Sequence, residues 1–405
     1  MTKDQLIAEV EALQKMMGHR RLLLLTGEHP KYSFDEFLDA IHTVANVKTD
    51  PCGAIRRINV EVPTLSVSDM RRLKATDHVG TYTLFQETYH PDVYKRFHPY
   101  GPKSDYEYRL QTMDRAQIAG VDDVGIGALF GLTDYRFECL AMLQHAHHLD
   151  KTYQAGPHTI SIPRIRPADN SPDALAPPMP VDDESFAKLV AVLRCAVPYT
   201  GMILSTRESP EMRARLLQLG ISQLSAGSKT DVGSYSKGDV EKEHENWGTE
   251  QAPVKEKGAG QFTLLDERPL DEVIHHLMET GFVPSFCTAC YRKGRTGAEF
   301  MAIAKKVCTL ITGFFCETNR QKLNLKISFA LEYLFRQLLQ GNIHKFCHPN
   351  ALLTLQEYLE DYASPGTKTL GENVVARERA TITGATKALD KKLKKVMAGE
   401  RDLYF

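Results

Sequence analysis

Short apolar runs alternate with longer segments of helical period along the first 230 residues. The runs at 21–27, 55–62, 81–87, 121–127, 158–164, 201–207 and 221–227 have the length and composition of buried strands. Helical spacing falls at the opening MTKDQLIAEVEAL and at 34–46, 68–75, 105–119, 131–150, 184–195 and 209–218. Strands that end in Gly, Glu, Arg or Ser and feed helices are the pattern of a parallel sheet with crossover helices. Seven such strands after an opening helix predict an α/β fold, a (β/α)8-type barrel lacking its first strand, with two open sheet edges.

The pattern then changes. Residues 234–260 are polar and rich in Gly, Glu and Lys, which predicts a surface loop or linker. The stretch 261–281 reads as a last strand or extended segment followed by a helix, and a cysteine-bearing tail runs on to a basic helix at 374–396. The expected division is a barrel unit at 1–270 and a mainly helical unit at 271–405. Open edges and the helix-like stretch at 307–340 predict poor solubility.

Composition narrows the function classes. Hydrophobic residues make up 42% and charged residues 25%, with a formal net charge of −1. No run reaches the ~18 apolar residues of a membrane span, and the charge balance gives no general electrostatic case for nucleic acid. The eight cysteines, at 52, 139, 195, 287, 290, 308, 316 and 347, read as reduced thiols or metal ligands in a reducing compartment.

In a parallel barrel the C-terminal ends of the strands carry the chemistry. Here those ends hold Gly27-Glu28-His29, Gln86-Glu87, Gly125, Gly127, Arg164, Arg166, Ser205 to Glu208 and Ser225. Carboxylates and guanidinium forks in one ring suit a zwitterionic ligand, whereas each residue taken singly also reads as a satisfied polar strand end. The sharpest local motif is Cys287-Thr-Ala-Cys290, whose two thiolates can converge on zinc or an iron–sulfur cluster, although redox pairs share the spacing. Cys308, Cys316 and Cys347 are the candidates for a third ligand.

These residues reach a family. GEHP at 27–30, QETYH at 86–90, DYEYRLQTMDRA at 105–116, GALFGLTD at 127–134, HTISIPRIRPA at 158–168 and LSTRESPEMR at 204–213 resemble the aromatic-amino-acid lyases of the radical S-adenosylmethionine superfamily. The tail segments FCTACYRKGRTG and KFCHPNALLTLQEYLEDYAS and the closing GERDLYF resemble the branch that matures [FeFe]-hydrogenase rather than the thiamine-synthesis tyrosine lyases. The resemblance implies cleavage of tyrosine to p-cresol and dehydroglycine, with carbon monoxide and cyanide then delivered on iron. It implies S-adenosylmethionine and tyrosine as small-molecule partners and other hydrogenase maturases as protein partners, with no nucleic acid and no membrane. It places Glu28, Glu87, Arg109 and Arg115 on the S-adenosylmethionine side, and Arg207 with Ser225 at the tyrosine carboxylate. It makes Cys287, Cys290 and Cys347 ligands of a C-terminal [4Fe–4S] cluster, with His148 near its extra iron. The implied compartment is the cytoplasm, or the plastid stroma for an algal gene.

Two departures accompany the resemblance. The superfamily holds its S-adenosylmethionine-cleaving cluster with Cys-x3-Cys-x2-Cys, a spacing absent from the eight cysteines here. The expectation is an incomplete chain that cleaves no S-adenosylmethionine as it stands, a second [4Fe–4S] cluster belonging to the full-length family member. The alternatives are an iron–sulfur protein or inactive fragment without radical chemistry, and a thiamine thiazole-synthesis lyase. The second departure is 307–340, a stretch the family pattern does not need, readable as a retained in-frame intron or as a true insertion of amphipathic period. Under both readings Cys308 and Cys316 are poor ligand candidates.

Overall fold

The computed structural model describes residues 1–169, 171–230, 232–236, 262–294, 296–302, 304–305, 344–382 and 386–405, with backbone only at 292 and 344–347. The expectations for the 234–260 loop beyond 236, for 307–340, and for Cys308, Cys316 and the Cys347 side chain therefore fall outside the described residues.

All seven expected strands form, as β1 (Arg21–Leu25), β2 (Arg57–Glu61), β3 (Val79–Thr83), β4 (Val124–Gly127), β5 (Thr159–Ser161), β6 (Gly201–Leu204) and β7 (Gln223–Leu224). They pair in chain order and every pairing is parallel. A sheet wound in one direction, with no reversal of strand order, is a barrel wall, and here it curls into a half-barrel with β1 and β7 at its edges. The longer helices are α1 (Lys3–Met17), α2 (Phe34–Asn46), α3 (Val67–Ala75), α4 (Pro91–Phe97), α5 (Tyr106–Leu110), α6 (Thr112–Ile118), α7 (Tyr135–Tyr153), α8 (Asp183–Ala196), α9 (Pro210–Gln218) and α10 (Leu270–Glu279). The tail adds α11 (His344–Asp361), α12 (Pro365–Thr381) and α13 (Thr386–Met397).

Local sequence explains the starts. Thr2 with Gln5, and Ser33 with Glu36, close reciprocal capping boxes at α1 and α2, satisfying amides that no helical carbonyl reaches. α1 stops at Gly18, whose φ of +62° favours glycine and whose added Cβ would lie 2.5 Å from the Tyr362 ring. The expected helix 105–119 divides into α5 and α6 at Gln111. The basic stretch 374–396 is shared between α12 and α13. Residues 262–269 take the extended form: Thr263 N–H donates to the Pro167 carbonyl, and the Leu265 and Asp266 N–H groups to the Thr206 carbonyl.

Alternation along the strands divides the apolar material. Ile58, Val60, Tyr82, Val124, Ile126, Ile160 and Met202 join Ile41, Leu73, Met142, Phe186 and Leu216 of the helices in the main core. The other strand face carries Arg57, Asn59 and Glu61, aligned with Thr81 and Thr83, then with Gly125 and Gly127, then Thr159 and Ser161. Barrels ordinarily fill this face with branched apolar layers. This one carries small and hydroxyl-bearing residues on its central strands, with Arg57, Asn59 and Glu61 on β2 and the branched Leu23, Leu25 and Ile203 on β1 and β6. The wall is already tight at Gly125, where an added Cβ would lie 2.6 Å from Thr159 Oγ1.

A second core joins Met17 of α1 and Leu270, Ile274 and Met278 of α10 to Leu352, Leu355, Leu359, Val374, Leu389 and Leu393 of the tail helices. Each fully buried leucine there contributes roughly 1.5–3 kcal/mol. Buried Asp271 ties the unit together, accepting from Tyr358 Oη at 2.8 Å, Ser364 Oγ at 2.6 Å and Thr367 Oγ1 at 2.8 Å. Asp271→Ala strands these donors, so urea denaturation is expected to show a loss of about 2–4 kcal/mol. Hydrogen exchange should then accelerate in α10–α12 before the barrel strands; equal acceleration in both would show one cooperative unit instead.

Candidate functional site at the two ends of the barrel

The C-terminal ends of the strands gather charge around Glu87. Its backbone has φ +67°, outside the usual range for a residue with a side chain, and its carbonyl accepts from Leu129 N–H at 2.7 Å. The Glu87 carboxylate receives Lys103 Nζ at 2.7 Å and Arg109 Nη2 at 3.4 Å. Burial pushes that carboxyl up, but Lys103 and Arg109 outweigh it and hold it below the ordinary range. Arg109 is buried and fixed by the Phe85 carbonyl at 2.9 Å. Glu61, at the end of β2, has its carboxyl pushed up to about 7 by burial and by Glu87, against the pull of Arg109, Arg207 and Lys103.

Arg207 lies over the Phe262 ring at 3.7 Å, and both Glu87 and Glu61 act on its guanidinium. Glu87, Arg109 and Arg207 of the expected set are thus coupled to one another. Glu28 follows β1, close enough to act on the Tyr94 phenol. Arg115 spends its donors on the carbonyls of Leu65 at 2.9 Å and Tyr108 at 2.6 Å and stacks on the Tyr108 ring. Ser225 offers its carbonyl to the buried Arg213 guanidinium, which also pairs with Asp266. Arg164 is locked into a buried network with Glu208, Asp183 and the Val181 carbonyl, and Arg166 reaches the same Glu208 at 2.6 Å. Lys103 and Glu61 were not anticipated. A lysine in a loop has no sequence signature, although Glu61 closes a strand as Glu87 does.

The N-terminal ends of the strands are closed by the segment that follows the Cys-x2-Cys motif. Cys287 and Cys290 are half-buried. Tyr291 Oη donates to the Val79 carbonyl at 3.1 Å, at the start of β3, and its ring faces the Arg57 guanidinium at 5.3 Å. Arg57 also binds Asn59 at 2.9 Å and Asp123 at 2.9 Å. Gly80 leaves room for it: a Cβ there would lie 2.4 Å from Arg57 Nε. Asp123 receives Gly297 N–H at 3.2 Å, and the Phe300 ring packs 4.6 Å from the His158 ring. Arg21, in register with Arg57 on β1, has its pKa lowered to about 10 by burial and Arg57, with the Cys287 thiol opposing.

Two thiols two residues apart fit an iron–sulfur cluster, and a neutral imidazole fits an iron ligand. His148 is half exposed on α7, with Nε2 2.6 Å from Asp114 Oδ1 of α6. Two imidazoles pack against the tail segment: His19 on Phe286, with ring centroids 6.3 Å apart, and His158, ten residues after His148, on Phe300, with Nδ1 3.5 Å from Asp123 Oδ1. Burial, aided by Arg57 and Arg21 against Asp123, pushes His158 down to about 4, so it is uncharged at neutral pH. The motif GPHTIS places His158 immediately before β5. Among the described residues no group of three or more His, Cys, Asp and Glu side chains is gathered as a metal site, and the Cys347 side chain is not among them.

A half-barrel with charge at one end and a Cys-x2-Cys tail at the other defines the radical S-adenosylmethionine barrel class. The Biotin and Thiamin Synthesis associated domain matches residues 161–283. The chain is 34% identical over 230 residues to the 2-iminoacetate synthase of Salmonella typhimurium, covering 56% of this chain and 58% of that protein. It is 34% identical over 232 residues to that of Escherichia coli, covering 57% and 59%. The chain thus spans under two thirds of the length of these curated relatives. The crystal structure of HydG, a maturase of the [FeFe]-hydrogenase, aligns with TM-score 0.83 and 42% identity over 100% of this chain and 77% of that one. HydG from Carboxydothermus hydrogenoformans aligns with TM-score 0.72 and 33% identity over 98% and 74%. Methylornithine synthase, at 16% identity and TM-score 0.51, shares the fold.

The chain belongs to the family of radical S-adenosylmethionine tyrosine lyases that joins the HydG maturases to the 2-iminoacetate synthases. The family works with [4Fe–4S] clusters and S-adenosylmethionine. Among the described residues no helix is long and apolar enough to cross a membrane.

Because the Glu61 carboxyl is held up, the folded chain keeps that proton more tightly than the unfolded chain. Its contribution favours folding at low pH and is lost as pH rises from about 4.5 to about 7. Glu61→Gln is therefore expected to match the parent near pH 4 and to exceed it by about 1 kcal/mol or more at pH 8. Denaturation at the two pH values checks this; an equal difference at both would place the effect in packing.

Proposed function

We propose that the chain is a tyrosine lyase of the hydrogenase-maturase branch, binding tyrosine at the C-terminal end of the barrel and an iron–sulfur cluster at the other. The carrying observation is the Cys287-x2-Cys290 pair and the residues that follow it, since Tyr291, Gly297 and Phe300 dock on the N-terminal strand ends at Val79, Asp123 and His158. Alignment with a HydG structure over the whole chain supports this branch, since the curated 2-iminoacetate synthases align with little more than half of it.

In this reading Arg207 takes the tyrosine carboxylate, because a guanidinium fork matches it and Glu87 and Glu61 hold that fork in a desolvated ring. Ser225 fixes Arg213 beside it. Glu87 and Arg109 face S-adenosylmethionine, with Glu28 on the same rim and Arg115 bracing the α5–α6 helices. Cys287, Cys290 and Cys347 hold the cluster, and His158 takes the place expected of His148. The cluster, when bound, supplies the iron on which carbon monoxide and cyanide leave for the hydrogenase. The proposal assigns this chain the tyrosine and cluster sites; no Cys-x3-Cys-x2-Cys is present in its sequence for S-adenosylmethionine cleavage.

Anaerobic reconstitution followed by iron, sulfide and EPR analysis tests the reading. The expected content is about four irons per chain, with the reduced-cluster EPR signal lost in Cys287→Ala/Cys290→Ala. A cluster that survives the double substitution, or none in the parent chain, would overturn it.

A further inference from the structure

Residues 401–405 run back over the cavity into which Cys287 faces. That cavity is lined by Cys287 and Thr288 on one side and by Asp402, Leu403 and Tyr404 on the other. The segment is held at every step. Arg401 pairs with Asp361, Nε to Oδ2 at 2.6 Å, and donates to the Val396 carbonyl at 2.6 Å. The N–H groups of Asp402 and Leu403 donate to Glu357 Oε1 at 2.8 and 3.4 Å. The other oxygen of Glu357 binds Arg20. Phe405 N–H donates to Asn350 Oδ1 at 2.7 Å, and Lys392 donates to the Tyr404 carbonyl.

Glu357 and Asn350 are buried at 4% and 2% exposure, so their polar atoms were desolvated to meet this backbone. Asp402 adopts φ +65°, in the left-handed region that few non-glycine residues take. Its carboxylate reaches Arg56 at 2.9 Å and Arg20 at 3.9 Å, both next to the barrel strands. Lys293, three residues past Cys290, faces the Tyr404 ring at 5.3 Å. A buried acceptor pair, a left-handed turn and a ring placed beside the motif together hold residues 401–405 across this cavity.

We propose that Arg401–Phe405 is a strap that closes the Cys287 site, shielding its thiols and any bound iron from solvent, chelators and oxidants. Glu357 and Asn350 are its positioning residues. The inference rests on reading Cys287 as a cluster ligand, but its test on the metal-free chain does not.

Alkylation by iodoacetamide, followed residue by residue by mass spectrometry, compares the parent with a chain stopped after Glu400. Cys195, which is exposed, and Cys139, which is buried, are internal references. The strap predicts that Cys287 reacts about tenfold faster or more in the shortened chain, while Cys139 stays protected and Cys195 is unchanged. An unchanged Cys287 rate with Cys139 protected overturns it. If shortening also exposes Cys139, Leu403→Ala/Tyr404→Ala, which keeps the strap's backbone bonds, decides by the same criterion. After reconstitution, iron loss to bathophenanthroline should accelerate in parallel; failure to bind iron at all would instead count against the proposed function.

Discussion

The closed end of the barrel depends on one carboxylate. Asp123, 1% exposed at the entry to β4, binds Arg57 of β2, approaches His158 of β5 and receives the Gly297 amide of the tail. A buried charge is tolerable only when its partners satisfy it, and breaking such a pair costs more than forming it gains. Three partners from three parts of the sequence therefore fix each other through a single group. The arrangement couples barrel and tail: residues 287–305 can seat only where Asp123, the Val79 carbonyl and the His158 ring receive them.

The barrel interior departs from the usual branched apolar layers on its central strands, where Thr83, Gly125, Gly127, Thr159 and Ser161 share one face, while Leu23, Leu25 and Ile203 keep apolar side chains on that face of β1 and β6. Charge is then concentrated at the two ends. Lys103, Arg109 and Arg207 surround Glu87 and Glu61 at one, and Arg21 and Arg57 lie beside Cys287 and His158 at the other.

Strand number and order were legible because each strand's helix-facing residues are apolar and each crossover has helical period. Strand ends were less so: the run 81–87 is regular strand only to Thr83, yet Leu84 and Gln86 still donate to the Gly125 and Gly127 carbonyls and Glu87, at positive φ, bridges Ala128. At the site, Glu87, Arg109 and Arg207 were legible as charged strand ends and motif residues. Arg164 looked equivalent, yet Glu208 absorbs it, and sequence spacing cannot show which arginine finds an internal partner. His158 was hidden for the opposite reason. A histidine opening a strand carries no ligand signature until the tail, more than 120 residues on, packs against it. Cys287 and Cys290 show in sequence a metal-binding spacing that redox pairs share.

We propose that one barrel carries a tyrosine site at one end and a cluster site at the other. Diffraction from the reconstituted chain at the iron absorption edge tests it most directly. The account predicts a single compact iron peak bounded by Cys287 and Cys290, on the side of the barrel that His158 faces. Iron found among the charged strand ends around Glu87, or scattered over surface histidines such as His148, would contradict it.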